Sequence, residues 1–166
     1  LQDVVWVSPK LDITDRVIDD MDRDGIDAQL MHPNRSLFAL FSDDHELSFG
    51  HARVYNDYVV ERYGPFFSRI VPTAPIPLTD VDDAVAEIER VTASGFRALL
   101  LPAMSPLPYW SSDLEPVWSA ARANGAHVFF HCATGGVKVG DAESPVLKQV
   151  RAMAAERVLQ GKKITD

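Results

Sequence analysis

His131 is the side chain best placed in this sequence to do chemistry. It lies in the apolar run Ala126-His127-Val128-Phe129-Phe130-His131-Cys132, and a loop carrying Gly135, Gly136 and Gly140 follows. A neutral imidazole at such a position can ligate a divalent metal or accept a proton as general base. Side chains alternate faces along a strand, so Phe129 and His131 share one face while Val128, Phe130 and Cys132 share the other. The more continuously apolar set belongs beneath covering helices, which turns His131 toward the opposite, inner face. The competing use of the ring is structural, with a neighbouring backbone carbonyl satisfying it, since histidines are often partly buried without any chemistry.

The other candidates follow from position. His127 has the parity of His131 but lies ~13 Å behind it at ~3.3 Å per residue, at the wrong end of the strand for a catalytic rim. His32 opens the segment His32-Pro33-Asn34-Arg35 at the end of another apolar run, and Pro102 and Ala103 end a third. In parallel α/β folds functional groups gather at the carboxyl ends of strands, so His32, Asn34, Pro102 and Ala103 are the candidate substrate-facing residues. His45 and His51 fall on or before a helix and read as surface or packing residues.

Other chemistries find little support. The chain has no His-x-His and no Glu-x-x-His pair, and a catalytic zinc normally takes three protein ligands, so a complete metal site is not visible. Cys132 lacks a Cys-x-x-Cys partner and reads as a buried, inert thiol. There is no Gly-x-Ser-x-Gly elbow, no Gly-x-Gly-x-x-Gly fingerprint and no phosphate-binding loop ending in Gly-Lys-Ser/Thr, so neither serine hydrolysis nor nucleotide binding is indicated. Asp80, Asp82, Asp83, Glu87 and Glu89 read as an acidic helix start and exposed face. Arg53 and Asp57, four residues apart on one helix, are spaced to pair.

Periodicity supplies the elements that must position these groups. Helices are expected over 13–23, 44–63 and 80–91, another from Ser112 until Gly125 terminates it, and a last one from Ser144-Pro145 to about residue 159. Asp12 and Thr79 or Asp80 can serve as caps, with Ser112 and Glu115 as a capping box. Apolar strands are expected over 26–31, 69–74, 97–101 and 126–132. Strands this apolar, alternating with helices, call for a parallel sheet covered on both sides. Prolines 33, 72, 75, 77 and 102 cluster where the strands end; lacking an amide donor, they mark where pairing stops.

Composition narrows the function classes. The 166 residues are 46% hydrophobic and 24% charged, enough apolar content for one domain with a continuous core. The formal charge of -8 repels nucleic acid and anionic membranes. No run approaches the ~20 apolar residues of a membrane helix. A single cysteine offers no internal disulfide, so a reducing, cytoplasmic setting is the expectation. A small molecule is the expected partner, and loop aromatics Phe38, Phe41 and Trp110 could form an apolar patch compatible with a homo-oligomer. The first residue, Leu1, and the abrupt end at Asp166 suggest a portion of something larger.

The succession Tyr55-Asn56-Asp57, Arg69-Ile70-Val71-Pro72-Thr73-Ala74-Pro75-Ile76-Pro77, Gly95-Phe96-Arg97-Ala98-Leu99-Leu100-Leu101-Pro102, Leu114-Glu115-Pro116-Val117-Trp118 and Val128-Phe129-Phe130-His131 resembles the metal-dependent amidohydrolase-related proteins, in particular the subgroup of aminocarboxymuconate-semialdehyde decarboxylase. The resemblance implies an α/β fold, a partial (β/α)₈ TIM barrel holding roughly strands two to five with their helices, with residues 1–166 as a single partial domain. It implies a divalent metal, zinc or similar, for which His131 would be the fifth-strand ligand, the remaining ligands lying outside this stretch. The implied activity is metal-dependent hydrolysis or non-oxidative decarboxylation of a small organic substrate, with the segment alone inactive. The residues by themselves also allow a non-enzymatic open α/β domain that binds a small molecule or partner through its strand-end loops, or a catalytically silent barrel relative.

Overall fold

The computed structural model describes residues 13–131 except 41 and 43; Cys132, the glycine-rich loop and the expected last helix lie outside these residues. Four strands, β1 (Gln29–Met31), β2 (Ile70–Pro75), β3 (Ala98–Pro102) and β4 (His127–His131), alternate with α1 (Ile13–Asp24), α2 (His45–Tyr63), α3 (Val81–Ala93) and α4 (Glu115–Ala123). All neighbouring strands are parallel and follow chain order, β1-β2-β3-β4. This is the α/β arrangement the residues call for, in the strand order of the partial barrel that the resemblance implies.

Caps decide where the helices begin. The carboxylate of Asp44 accepts from the amide of Leu47 and starts α2, and Asp80 accepts from Asp83 to start α3, each satisfying an amide that the first helical turn leaves open. The start of α4 differs from the expected capping box. Ser111, not Ser112, accepts from the amide of Asp113 and opens a 3₁₀ turn over Ser112–Leu114, and α4 continues from it with Pro116 in its first turn. Proline at that position requires no amide, so the turn can tighten before the helix proper.

Helices and outward strand residues form the core. Ala74, Ile76, Leu99 and Leu101 of the sheet pack with Phe49 and Val59 of α2, Ala84, Ile88 and Val91 of α3, and Val117, Ala120 and Ala121 of α4. Each large side chain buried in this layer contributes roughly 1.5–3 kcal/mol. Register then fixes the inner face. Thr73 aligns with Ala98, Leu100 with Phe129 and Pro102 with His131, so these residues point away from the helices, as does Leu30, opposite Val71. β2 bonds β1 through residues 70–72 and β3 through 73–75. The last registered pair in each of these ladders includes a proline, Pro72, Pro75 or Pro102, but the expected stop does not hold after Pro75, where the amide of Ile76 still donates to the Leu100 carbonyl at 3.0 Å.

Two ionic expectations are overturned. Glu87 is not on an exposed face: its carboxylate is fully buried between α2 and α3. It accepts from Arg90 Nε and Nη2 at 2.8 Å each, from Asn56 Nδ2 at 2.8 Å and from Arg53 Nε at 3.4 Å. Arg53 accordingly pairs across to α3 rather than along α2 with Asp57, which binds Arg90 instead. A buried carboxylate draws cations from both helices because nothing else there offsets its lost hydration. The hydrogen bonds that Arg90 donates to Glu87 raise its pKa further above the usual value.

Arg90→Ala leaves Glu87 underneutralised in the interior and is expected to cost the intact protein about 3 kcal/mol, read from urea unfolding, while Glu87→Gln costs clearly less. Gly95, which follows α3, has a φ of +106°, and an added Cβ would stand 3.1 Å from Phe67 Cδ2. Gly95→Ala is expected to lower the unfolding midpoint by the equivalent of about 1–3 kcal/mol.

Candidate functional site

At the carboxyl ends of the strands the inner face carries its polar groups. His131, last residue of β4, is half-buried and aligned with Pro102, last residue of β3. His32, immediately after β1, extends its ring toward β4. Its centroid lies 6.3 Å from that of His131 and 6.0 Å from that of Phe129, both edge to face. Three strand steps at ~4.8 Å put β1 and β4 roughly 14 Å apart in a flat sheet with side chains standing parallel. Rings three strands apart meet only if the sheet curls and its inner side chains converge, which is the geometry of a barrel wall.

Thr73 anchors the first of these rings. It is fully buried on β2, with Oγ1 3.1 Å from His32 Nδ1 and 3.4 Å from the carbonyl of Met31. Beneath the rings, Leu100 is fully buried, and with Pro102 and Phe129 it gives the inner face an apolar lining. Above the end of β3, Tyr109 donates to the carbonyl of Pro102, and burial holds its pKa well above that of an ordinary phenol, so it remains a donor. Tyr109 also packs edge-on against Phe130 and tilted against Trp118, which places Phe130 on the outer face, opposite His131. A small cavity of ≈ 10 Å³, room for about one water, lies beside the strand ends between Leu40, Pro77, Leu78 and Pro102.

The sequence-predicted residues separate accordingly. His32, Pro102 and His131 come together on the inner rim. Ala103 follows Pro102 and is exposed; Asn34 lies exposed in the loop after β1. His127 sits at the entry end of β4, exposed, its amide bound to the carbonyl of Arg97, in keeping with a structural position. His45 stands on the surface within 2.9 Å of Asp83. Among the loop aromatics Trp110 is 88% exposed. Thr73 and Tyr109 are the rim-building residues that position alone did not single out. A lone hydroxyl within the apolar strand Ile70–Pro75 is the feature by which Thr73 could have been found.

Among the described residues no group of three or more His, Cys, Asp or Glu is arranged to hold a metal, and no helix is long and apolar enough to cross a membrane. Comparison with known proteins supplies the context. Dihydroxybenzoic acid decarboxylase from Polaromonas sp. JS666, with bound manganese and the inhibitor 2-nitroresorcinol, superposes with a TM-score of 0.66 at 25% identity, over 90% of this chain and 44% of that one. A 2,6-dihydroxybenzoate decarboxylase complexed with 2,6-dihydroxybenzoate gives 0.63 at 27% identity, over 73% and 40%. An amidohydrolase from Mycobacterium avium subsp. paratuberculosis K-10 gives 0.64 at 24% identity, over 87% and 39%. The chain thus spans well under half the length of each structure. A search of the curated proteins found no match. Residues 6–160 match the amidohydrolase family, and with that match extending over nearly the whole sequence, the chain belongs to the amidohydrolase family.

Proposed function

We propose that the protein is a metal-dependent amidohydrolase-family enzyme, a hydrolase or non-oxidative decarboxylase, acting on a small organic substrate at the carboxyl-end rim. The observation that carries this reading is the position of His131: last residue of an inner-curving strand, facing the concave side, in ring contact with His32. Decarboxylation of a small carboxylate is the favoured reaction, because similar structures at 25% and 27% identity are decarboxylases of dihydroxybenzoates. Residues 1–166 are read as a single partial barrel domain corresponding to strands two to five, in a cytoplasmic protein.

The chemistry of the rim fits a divalent cation in part. Imidazole suits zinc and other first-row ions, and His131 would hold the ion, with further donors from outside residues 13–131. Zinc is the expectation from the ligand type, and manganese from the ion in the Polaromonas structure. Such an ion, when bound, supplies Lewis-acid polarisation of a substrate or water oxygen. The chain's own residues do the rest. Leu100, Pro102 and Phe129 present apolar surface that excludes water from beneath the substrate and strengthens each polar contact above it. His32, Asn34, Pro102 and Ala103 form the surrounding substrate-facing rim.

His131→Ala in the full-length protein is expected to reduce bound metal from stoichiometric to trace by elemental analysis. Turnover of 2,6-dihydroxybenzoate, followed by carbon dioxide release, should fall by more than about a hundredfold, since even outer partners of metal ligands are worth 10–100-fold. Undiminished metal in the folded variant removes His131 from the ligand set. Full metal occupancy with no turnover of any small carboxylate or amide favours the catalytically silent relative.

A further inference from the structure

We propose that His32 determines specificity at this rim: Thr73 holds its ring as the Nδ1–H tautomer, and Nε2 serves as the hydrogen-bond acceptor for a hydroxyl group of the substrate. The acceptor role rests on the reading of the rim as a substrate site; the tautomer rests on geometry alone.

Thr73 Oγ1 has two neighbours, the Met31 carbonyl at 3.4 Å and His32 Nδ1 at 3.1 Å. A carbonyl can only accept, and a hydroxyl has one proton to give. Both contacts are hydrogen bonds only if Thr73 donates to Met31 and accepts from a protonated Nδ1. In a neutral ring that leaves Nε2 without a proton and with a lone pair. The hydroxyl that fixes this is itself held firmly, because Thr73 is 0% exposed on a strand paired on both sides. His32 is exposed, so its ring combines a buried anchor with an accessible edge.

The surroundings give that lone pair a use. The ring stands edge-on to Phe129 and His131, and the neighbouring inner-face residues Leu100, Pro102 and Phe129 carry no side-chain acceptor. A substrate hydroxyl placed over this apolar surface finds in Nε2 an acceptor oriented in advance. A threonine on β2 thus acts through His32 as a positioning residue. A fixed acceptor favours a hydroxylated substrate over its unsubstituted analogue by up to about tenfold, the upper range for one neutral hydrogen bond.

The full-length protein, labelled with ¹⁵N at histidine, reports the tautomer directly in long-range nitrogen–proton correlation spectra. Wild type and Thr73→Ser are expected to show His32 as Nδ1–H, and Thr73→Val, which keeps shape but removes the acceptor, to move it toward Nε2–H. A wild-type ring already protonated on Nε2, or a Thr73→Val spectrum identical to wild type, overturns the tautomer assignment. Calorimetric binding of 2,6-dihydroxybenzoate against benzoate then tests the acceptor. His32→Phe should lower the ratio of dihydroxy-acid to benzoate affinity about tenfold; Thr73→Val, which retains the ring, should lower it partway. An unchanged preference in folded variants overturns the role. If wild type binds neither acid, the aromatic-carboxylate reading and the hydroxyl role fail together, while the tautomer result still stands or falls by itself.

Discussion

The inward curl of four parallel strands is the constraint on which the site depends. Without it, His32 at the end of β1 and His131 at the end of β4 would stand on opposite sides of the sheet's width. With it, their rings lie 6.3 Å apart. Curl follows from covering one face with close-packed helices while inner side chains converge on a common axis, as in a (β/α)₈ wall. It also separates two readings that the sequence left open. An open, doubly wound sheet carries helices on both faces; here the clustered core joins the outward strand residues to α2, α3 and α4, and the other face carries the histidines.

The back of the wall is stiffened by an ionic contact rather than by apolar packing alone. Glu87 lies where α3 meets α2, and Arg90, Arg53 and Asn56 converge on it. Asn56 Nδ2 also lies 3.5 Å from the carbonyl of Pro75, while its Oδ1 is buried without a partner. That geometry ties α2 to the end of β2, two residues beyond Thr73. A buried charge with partners on two helices admits few alternative arrangements, so the cluster favours one relative placement of α2 and α3 at some cost in desolvation. The strand that orients His32 is therefore supported from behind by the least apolar part of the core.

Much of this was legible in the sequence because the relevant signals are local. Strand parity alone placed Phe129 and His131 inward and Val128 and Phe130 outward, and Asp80, one of two candidate caps, gave the start of α3. Partnerships between distant segments were not legible. Helical phase sets Glu87 beside the buried Ala84, Ile88 and Val91 and puts Asp82 and Glu89 on the opposite face, but the groups that satisfy a carboxylate there, Arg53 and Asn56, lie more than thirty residues away. The spacing of Arg53 and Asp57 permitted a pair along α2 that Glu87 and Arg90 outcompete. The start of α4 escaped for another reason: Ser111 and Ser112 are adjacent, and a 3₁₀ turn chose the first. His32 with Thr73 is a contact over 41 positions, visible only once β1 and β2 are in register.

Register also decides which side chains reach the rim. A slip of one residue between β3 and β4 would turn His131 and Phe129 to the helical side and bring Phe130 to the concave face. The pairing is held at its entry end by the bond from the His127 amide to the Arg97 carbonyl at 2.8 Å. At its exit end Pro102, opposite His131, contributes no donor of its own, so the position of the imidazole is inherited from bonds made earlier along the strand and from Tyr109, which binds the Pro102 carbonyl above it. His127 thus matters to the site without approaching it: its backbone fixes the alternation that brings the second histidine, four residues on, to the concave face.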